Sequence, residues 1–119
     1  MNIEQAYDKL SLVSASKTAT SDSKNAVREG SLRKALASRV VIADGAMGTM
    51  IQSANPSLSD FQNLEGCNEV LNVTRPELIA DIHRQYFQAG VDAVETNTFG
   101  ANLANLLEYE IPERIYELA

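Results

Sequence analysis

The chain has 119 residues, 45% of them hydrophobic and 22% charged, with a formal net charge of -6 at pH 7. That size and composition suit one soluble globular domain with a modest core. An acidic balance without basic stripes or interleaved basic and aromatic residues argues against nucleic acid or an anionic membrane as partner, and favours small-molecule chemistry.

The single cysteine, Cys67, excludes an intrachain disulfide framework and suits a reducing, cytoplasmic compartment. No apolar run approaches the roughly 18 residues of a spanning helix. Near the start, Glu4 and Asp8 and the interruption of Leu10 to Val13 by Ser11 leave no secretory apolar core.

Residues 1–30 are polar and aperiodic, with Ser and Thr crowded through SLVSASKTATSDSKN, and are expected to form a disordered leader ahead of a folded region at 31–119. Ser31 is placed to cap a short helix, SLRKALASR, with Leu32, Ala35 and Leu36 on one face and Arg33, Lys34 and Arg39 on another. Such a helix is expected to lie across the bottom of a sheet.

Val40 to Ala43 then form a continuous apolar run, the pattern of a strand buried on both faces. The run ends in Asp44, Gly45, Ala46, Met47, Gly48 and Thr49, an abrupt turn bordered by glycines with a carboxylate at its tip. In α/β folds, ligands gather at such carboxyl ends of strands. Met47 to Gln52 can make a short helical turn, and Ser53 to Gly66 reads as a long irregular loop anchored by Phe61 and Leu64.

The strongest local signal is Val73-Thr74-Arg75-Pro76-Glu77-Leu78. Thr74 and Glu77 have the spacing of a capping box, Val73 and Leu78 that of a hydrophobic staple, and Pro76 suits a first helical turn. A helix of about 14 residues is therefore expected, with Leu78, Ile79, Ile82, Tyr86 and Phe87 as its buried stripe and Gly90 as its left-handed stop.

A second strand is expected at about Ala93 to Thr96, opening into Asn97, Thr98, Phe99 and Gly100. Strand, helix and strand in that order predict a parallel pair with a right-handed crossover, so that both polar turns emerge on one side. The stretches ANLANLLEYE and IPERIYELA read as helical, with Ile111, Ile115 and Leu118 at helical spacing and Pro112 at a start. With neither a glycine stop nor a basic last turn, and with open sheet edges, the pattern predicts the beginning of a larger α/β domain.

The turn DGAMGT matches neither GxxxxGK[ST] nor GxGxxG, so a nucleotide phosphate is a poor fit. A zwitterion fits better. Asp44 can hold an ammonium group while backbone N–H groups of Gly45, Ala46 and Met47 hold a carboxylate, and an amino acid presents both. Plainer roles stand beside these: Asp44 as a cap for the following turn, Glu95 as a structural carboxylate, Thr96, Asn97 and Thr98 as turn residues, and His83 as a packing or surface residue.

Three runs in order, VVIADGAMGTMIQ, DFQNLEGCNEVLNVTRPELI and IHRQYFQAGVDAVETNTFGAN, closely resemble the start of the homocysteine-binding barrel of the cobalamin-dependent methionine synthases. The shorter homocysteine S-methyltransferases look like weaker relatives over the same region, about Leu32 to Ala119. The resemblance implies the N-terminal portion of a (β/α)8 TIM barrel, incomplete in this chain, since such a barrel takes about 250 residues. It implies homocysteine bound by Asp44, Gly45, Ala46 and Met47, with Glu95, Thr96, Asn97 and Thr98 lining the same mouth. Zinc and cobalamin are implied for the full-length enzyme, with methylcobalamin and methyltetrahydrofolate engaged through its other domains. The zinc-binding cysteines of the resembled family match no position here, and Cys67 does not inherit that role, so this chain is expected to hold no cofactor and to be inactive by itself. Two alternatives stay open: a homocysteine methyltransferase without cobalamin modules, and a non-catalytic amino-acid-binding product.

Overall fold

The computed structural model of the protein describes residues 31–119. The polar leader expected over residues 1–30 lies outside the described residues. Helix α1 covers 31–38, α2 Met47–Ser53, α3 Leu71–Thr74, α4 Pro76–Ala89, α5 Leu103–Glu108 and α6 Ile115–Leu118. Short 3-10 turns at Asn68–Val70 and Pro112–Arg114 lead into α3 and α6.

Among the described residues there is no regular strand. The two expected strands are extended segments joined by one parallel bridge, Ala43 to Ala93. Asp92 N–H donates to the Ile42 carbonyl at 2.8 Å and Asp44 N–H to the Ala93 carbonyl at 3.1 Å. The direction is thus that of the expected parallel pair, with Ala43 set opposite Ala93, but the ladder stops there. A lone pair of parallel segments without a third strand is marginal, and the continuous apolar run is largely open: Val40 is 81% and Ile42 55% exposed, with Val41 half-buried. The apolar face of α1 is likewise open, with Leu32 and Leu36 exposed. The expectation that α1 packs beneath a sheet is not met, because among the described residues there is no sheet to receive it.

Helix α4 has the expected 14 residues, Pro76 in its first turn, and Gly90 as a left-handed cap at φ 102°, ψ 18°. A side chain at Gly90 would be strained there. Its start differs from expectation. Arg75 is the N-cap and no side chain caps the helix. Thr74 is the last residue of α3, and its hydroxyl donates its one proton to the Asp60 carbonyl at 2.6 Å, with the Val70 carbonyl a longer alternative acceptor at 3.1 Å. A residue already in a helix lacks the extended backbone of an N-cap, so the capping box does not form. Glu77 pairs with Arg75 instead, and Val73 is exposed.

Two small cores meet at one segment. Ile51, Leu71, Ile79 and Ile82 form the first, backed by Met47, Met50, Phe61, Leu78 and Tyr86. Cys67, Val70, Leu106 and Leu118 form the second, backed by Leu64, Tyr109, Ile111 and Ile115. The stripe of α4 is buried as expected at Ile79 and Ile82, whereas Phe87 is half-exposed. The loop after α2 is pinned rather than loose: the Asp60 carboxylate accepts from Ser57 N–H at 2.7 Å and Ser57 Oγ at 2.8 Å. Arg75 also reaches it, and together these bonds hold the Asp60 carboxyl below its ordinary range.

One ion pair ties the base of the extended pair. Arg39 grips Asp92 with both guanidinium nitrogens at 2.7 Å, and Ile42 N–H donates to the same carboxylate at 3.0 Å. These bonds hold the Asp92 carboxyl down to about 2 from an ordinary 3.8. A carboxyl with a depressed folded pKa contributes stability above its unfolded pKa and loses it as pH falls through the folded one. The Asp92→Asn variant is therefore expected to show a flatter fall in melting temperature than wild type between pH about 4 and about 2. Circular dichroism melts across that window check this, and parallel curves for the two proteins would refute it.

Candidate functional site

The two polar turns come together through Asp44. Its backbone N–H joins the bridge to Ala93, and its Oδ1 accepts the N–H of Glu95 at 2.9 Å. The carboxylate does not cap α2, whose N-cap is Ala46 with no side-chain bond. It spans from one turn to the other, leaving Oδ2 with no partner among the described residues. The N–H groups of Gly45, Ala46 and Met47 likewise meet no acceptor there. Tyr86, on α4, donates its hydroxyl to the Ala46 carbonyl at 3.1 Å and so holds the turn against the helix. The Met47 side chain packs against the first core.

The second turn is held from below. Asn97 is buried, at 7% exposure, and its amide donates to the Asn68 carbonyl at 2.8 Å and to Asn72 Oδ1 at 2.9 Å. Asn72 in return donates to the Asn97 carbonyl at 2.8 Å and the Leu118 carbonyl at 2.7 Å. Thr96 and Thr98 stand on either side with their hydroxyls 2.7 Å apart. Glu95 is exposed, and its side chain has no partner among the described residues.

Beyond Asn97 a second hold follows. Glu69 is 5% exposed, and its Oε1 accepts the Gly100 N–H at 2.7 Å. Asn105 donates to the Gly100 carbonyl at 3.0 Å, and Asn102 caps α5 by accepting from Asn105 N–H at 3.0 Å. Gly100 is needed for closeness: a Cβ there would stand 2.6 Å from Asn105 Nδ2 and 2.8 Å from both Glu69 oxygens. Phe99, between these holds, is fully exposed.

Beneath the second turn lies a cleft of about 230 Å³ whose walls include Asn72, Ile79, His83, Thr96, Asn97 and Thr98. His83 Nε2 is buried and has no hydrogen-bond partner among the described residues. A larger cleft, about 430 Å³, lies between α2 and the following loop, with Gly48, Ile51, Gln52, Asn55, Phe61 and Glu65 in its walls. Neither cleft is lined by Asp44, Gly45 or Ala46.

Among the described residues no group of three His, Cys, Asp or Glu side chains is placed to hold a metal ion. Cys67 is buried in the second core, and burial, with the nearby Glu69 carboxylate, pushes its thiol pKa up. That favours the thiol over the thiolate that a metal requires. The residues described here therefore do not fit a zinc site.

The sequence signals for Asp44 and for the Thr96 to Thr98 turn led to neighbouring places in the fold. The holding residues, Glu69 and Asn72, were not singled out. Their only signal was a polar residue on each side of the apolar pair Val70 and Leu71, which is also what a surface turn looks like.

The homocysteine S-methyltransferase family model matches residues 41–119. The chain belongs to that family. It is similar to the methionine synthase of Mycobacterium tuberculosis, 60% identical over 84 residues, covering 71% of this chain and 7% of that protein. The methionine synthase of Mycobacterium leprae is 57% identical over 88 residues, covering 74% of this chain and 7% of that protein. The chain thus spans about 7% of the length of these curated relatives. No solved structure gives a significant match. The matched region contains both turns and the whole of the segment that holds them.

Replacing Gly100 by Ala is expected to lower stability by about 1–3 kcal/mol, the usual cost of forcing an extra carbon into a filled site. Urea denaturation checks this; an unchanged midpoint would mean that Glu69 and Asn105 can both step aside.

Proposed function

We propose that this chain forms the amino-acid-gripping part of a homocysteine methyltransferase, as the N-terminal portion of the homocysteine-binding domain of a cobalamin-dependent methionine synthase. The observation that carries this is the Asp44 junction, which brings two turns of the matched family region to one end of the parallel pair. The two extended segments are then the first two strands of a (β/α)8 barrel, with the substrate at their carboxyl ends.

In this proposal Asp44 has two tasks. Oδ1 stays on the Glu95 N–H, and Oδ2 takes the ammonium group of homocysteine as a charge-assisted bond. The N–H groups of Gly45, Ala46 and Met47 take the carboxylate. The hydroxyls of Thr96 and Thr98 line the same mouth beside Glu95, while Asn97 holds the turn's backbone. The thiol end of the substrate then points away from this grip.

In the complete enzyme that this implies, cobalamin and methyltetrahydrofolate, held by other domains, would supply the methyl group that turns homocysteine into methionine. Zinc would supply the lowered thiol pKa that the attack needs. The described residues offer no ligand set for zinc, so the proposed contribution of this chain is binding and orientation, without turnover. A cytoplasmic setting belongs to the same proposal; among the described residues no helix is long and apolar enough to cross a membrane.

Calorimetric titration of the chain with homocysteine, with and without zinc, tests the grip. Saturable binding that does not depend on zinc is expected, weakened about tenfold or more in Asp44→Asn, as for loss of a hydrogen bond to a charged group. The asparagine keeps an oxygen for Glu95 N–H, so its melting temperature should stay close to wild type. Absence of saturable heat with a folded wild-type chain, or equal affinity in the variant, would sink the proposal.

A further inference from the structure

Glu69 and Asn72 lie outside the residues that meet substrate in the proposed function, yet both reach into the turn that lines the mouth. We propose that Asn72 is a positioning residue: its carboxamide, paired with that of Asn97, sets the conformation in which Thr96 and Thr98 face an amino-acid substrate. This rests on the homocysteine-binding reading of that turn and extends it to a residue 25 positions earlier in the chain.

The geometry is reciprocal. Asn72 Nδ2 donates to the Asn97 backbone carbonyl, and Asn97 Nδ2 donates to Asn72 Oδ1. The second proton on each nitrogen is also used, on the Leu118 carbonyl by Asn72 and on the Asn68 carbonyl by Asn97. Each NH2 group therefore faces two oxygens, and that fixes the orientation of both amides. No other side-chain pair offers this pattern at the same size. Aspartate has no N–H to give the two carbonyls, serine is too short to reach both, and leucine would leave the Asn97 amide and carbonyl unpaired.

The bonds act on the turn at its centre. Between Thr96 and Thr98 the backbone bends tightly, with Thr98 N–H on the Thr96 carbonyl at 2.8 Å. The Asn97 carbonyl and side chain point down into the clasp, which leaves its two neighbours to bring their hydroxyls together above. Releasing the clasp frees the central peptide to rotate, and the hydroxyls lose their common direction. The Glu69 bond to Gly100 holds the far end of the turn, so loss of Asn72 acts locally rather than through general unfolding.

The test uses the full 119-residue chain and the isosteric Asn72→Asp variant, with Asn72→Ser as a second, uncharged one and Gln88→Ala as a control on the exposed face of α4. Amide exchange by NMR and homocysteine affinity by calorimetry are measured on each. Exchange over Thr96 to Gly100 is expected to quicken about tenfold or more in both Asn72 variants, from the loss of paired hydrogen bonds. Ile79 to Ile82 should remain protected, and affinity should fall by a similar factor. The side-chain amide protons of Asn97 should exchange slowly in the wild-type chain and become fast in both variants, and the control should change in none of these respects. Unaltered exchange over 96–100 in a folded variant overturns the clasp. Faster exchange there with unaltered affinity overturns the positioning role, as does loss of protection throughout α4 in both variants, which marks a purely structural residue. If the wild-type chain binds no homocysteine, it is the substrate reading that fails; exchange over 96–100 and the Asn97 amide protons then decide the clasp by themselves.

Discussion

Burial of the segment from Cys67 to Asn72 is the constraint on which the rest of this structure depends. Within six consecutive positions, Cys67 and Val70 enter one core, Leu71 enters the other, and Asn68, Glu69 and Asn72 hold the turn at 96–100. A short 3-10 turn running into a short α-helix makes this division possible, because the change in residues per turn sends adjacent side chains to different sides. Neither core is large. Each would be marginal alone, and the shared segment joins them and carries the turn attached to it. Gly66, just before, has φ 90° and lies close under the Tyr109 hydroxyl, where a Cβ would stand 3.0 Å away. The backbone must turn left-handed there, without bulk, for the segment to enter between the cores.

The parallel pair is organised differently. Its order comes from polar groups at its two ends rather than from apolar cover along its length. Arg39 and Asp92 tie the base, and Asp44 with Glu95 ties the top, while Val40 and Ile42 between them stay open. Polar ties specify register well, since slipping by one residue would break every one of them. They add little net stability when exposed, because water competes for the same groups. This accounts for a pair whose direction and register are well defined but whose ladder is one bridge long.

A division of labour follows for the site. In the proposed function Asp44 carries structural and recognition tasks on separate oxygens, and the turn at 96–98 carries them on separate residues, with Asn97 buried in the clasp and the two threonine hydroxyls paired beside it. Such arrangements explain why the plain and the functional roles of a residue need not compete. A carboxylate has several lone-pair positions, so a backbone bond made by one oxygen orients the other for a ligand. The same economy appears at Thr74, whose hydroxyl ties the loop at Asp60 to α3 instead of opening a helix.

Much was legible along the chain. Helix α4 was marked by Pro76 and Gly90, signals that act through the backbone of the residue itself and need no partner. The short helix beginning at Met47, the irregular loop beyond it, and the anchoring of Phe61 and Leu64 could also be read, as could the parallel sense of the two extended segments. The family resemblance, carried by consecutive residues, was equally a property of the sequence. What the sequence could not decide was every feature that needs a distant partner. Thr74 had the spacing of a cap, but the helical turn before it placed it inside α3. Val40 to Ala43 had the composition of a buried strand, yet burial requires neighbours on both faces, and among the described residues they are absent. Asn72 and Glu69 were ordinary polar residues until folding set them under Asn97 and Gly100. Local signals settle where an element starts and stops, because their energies are local. Which side chain holds which turn depends on contacts between residues tens of positions apart, and only the tertiary structure brings those together.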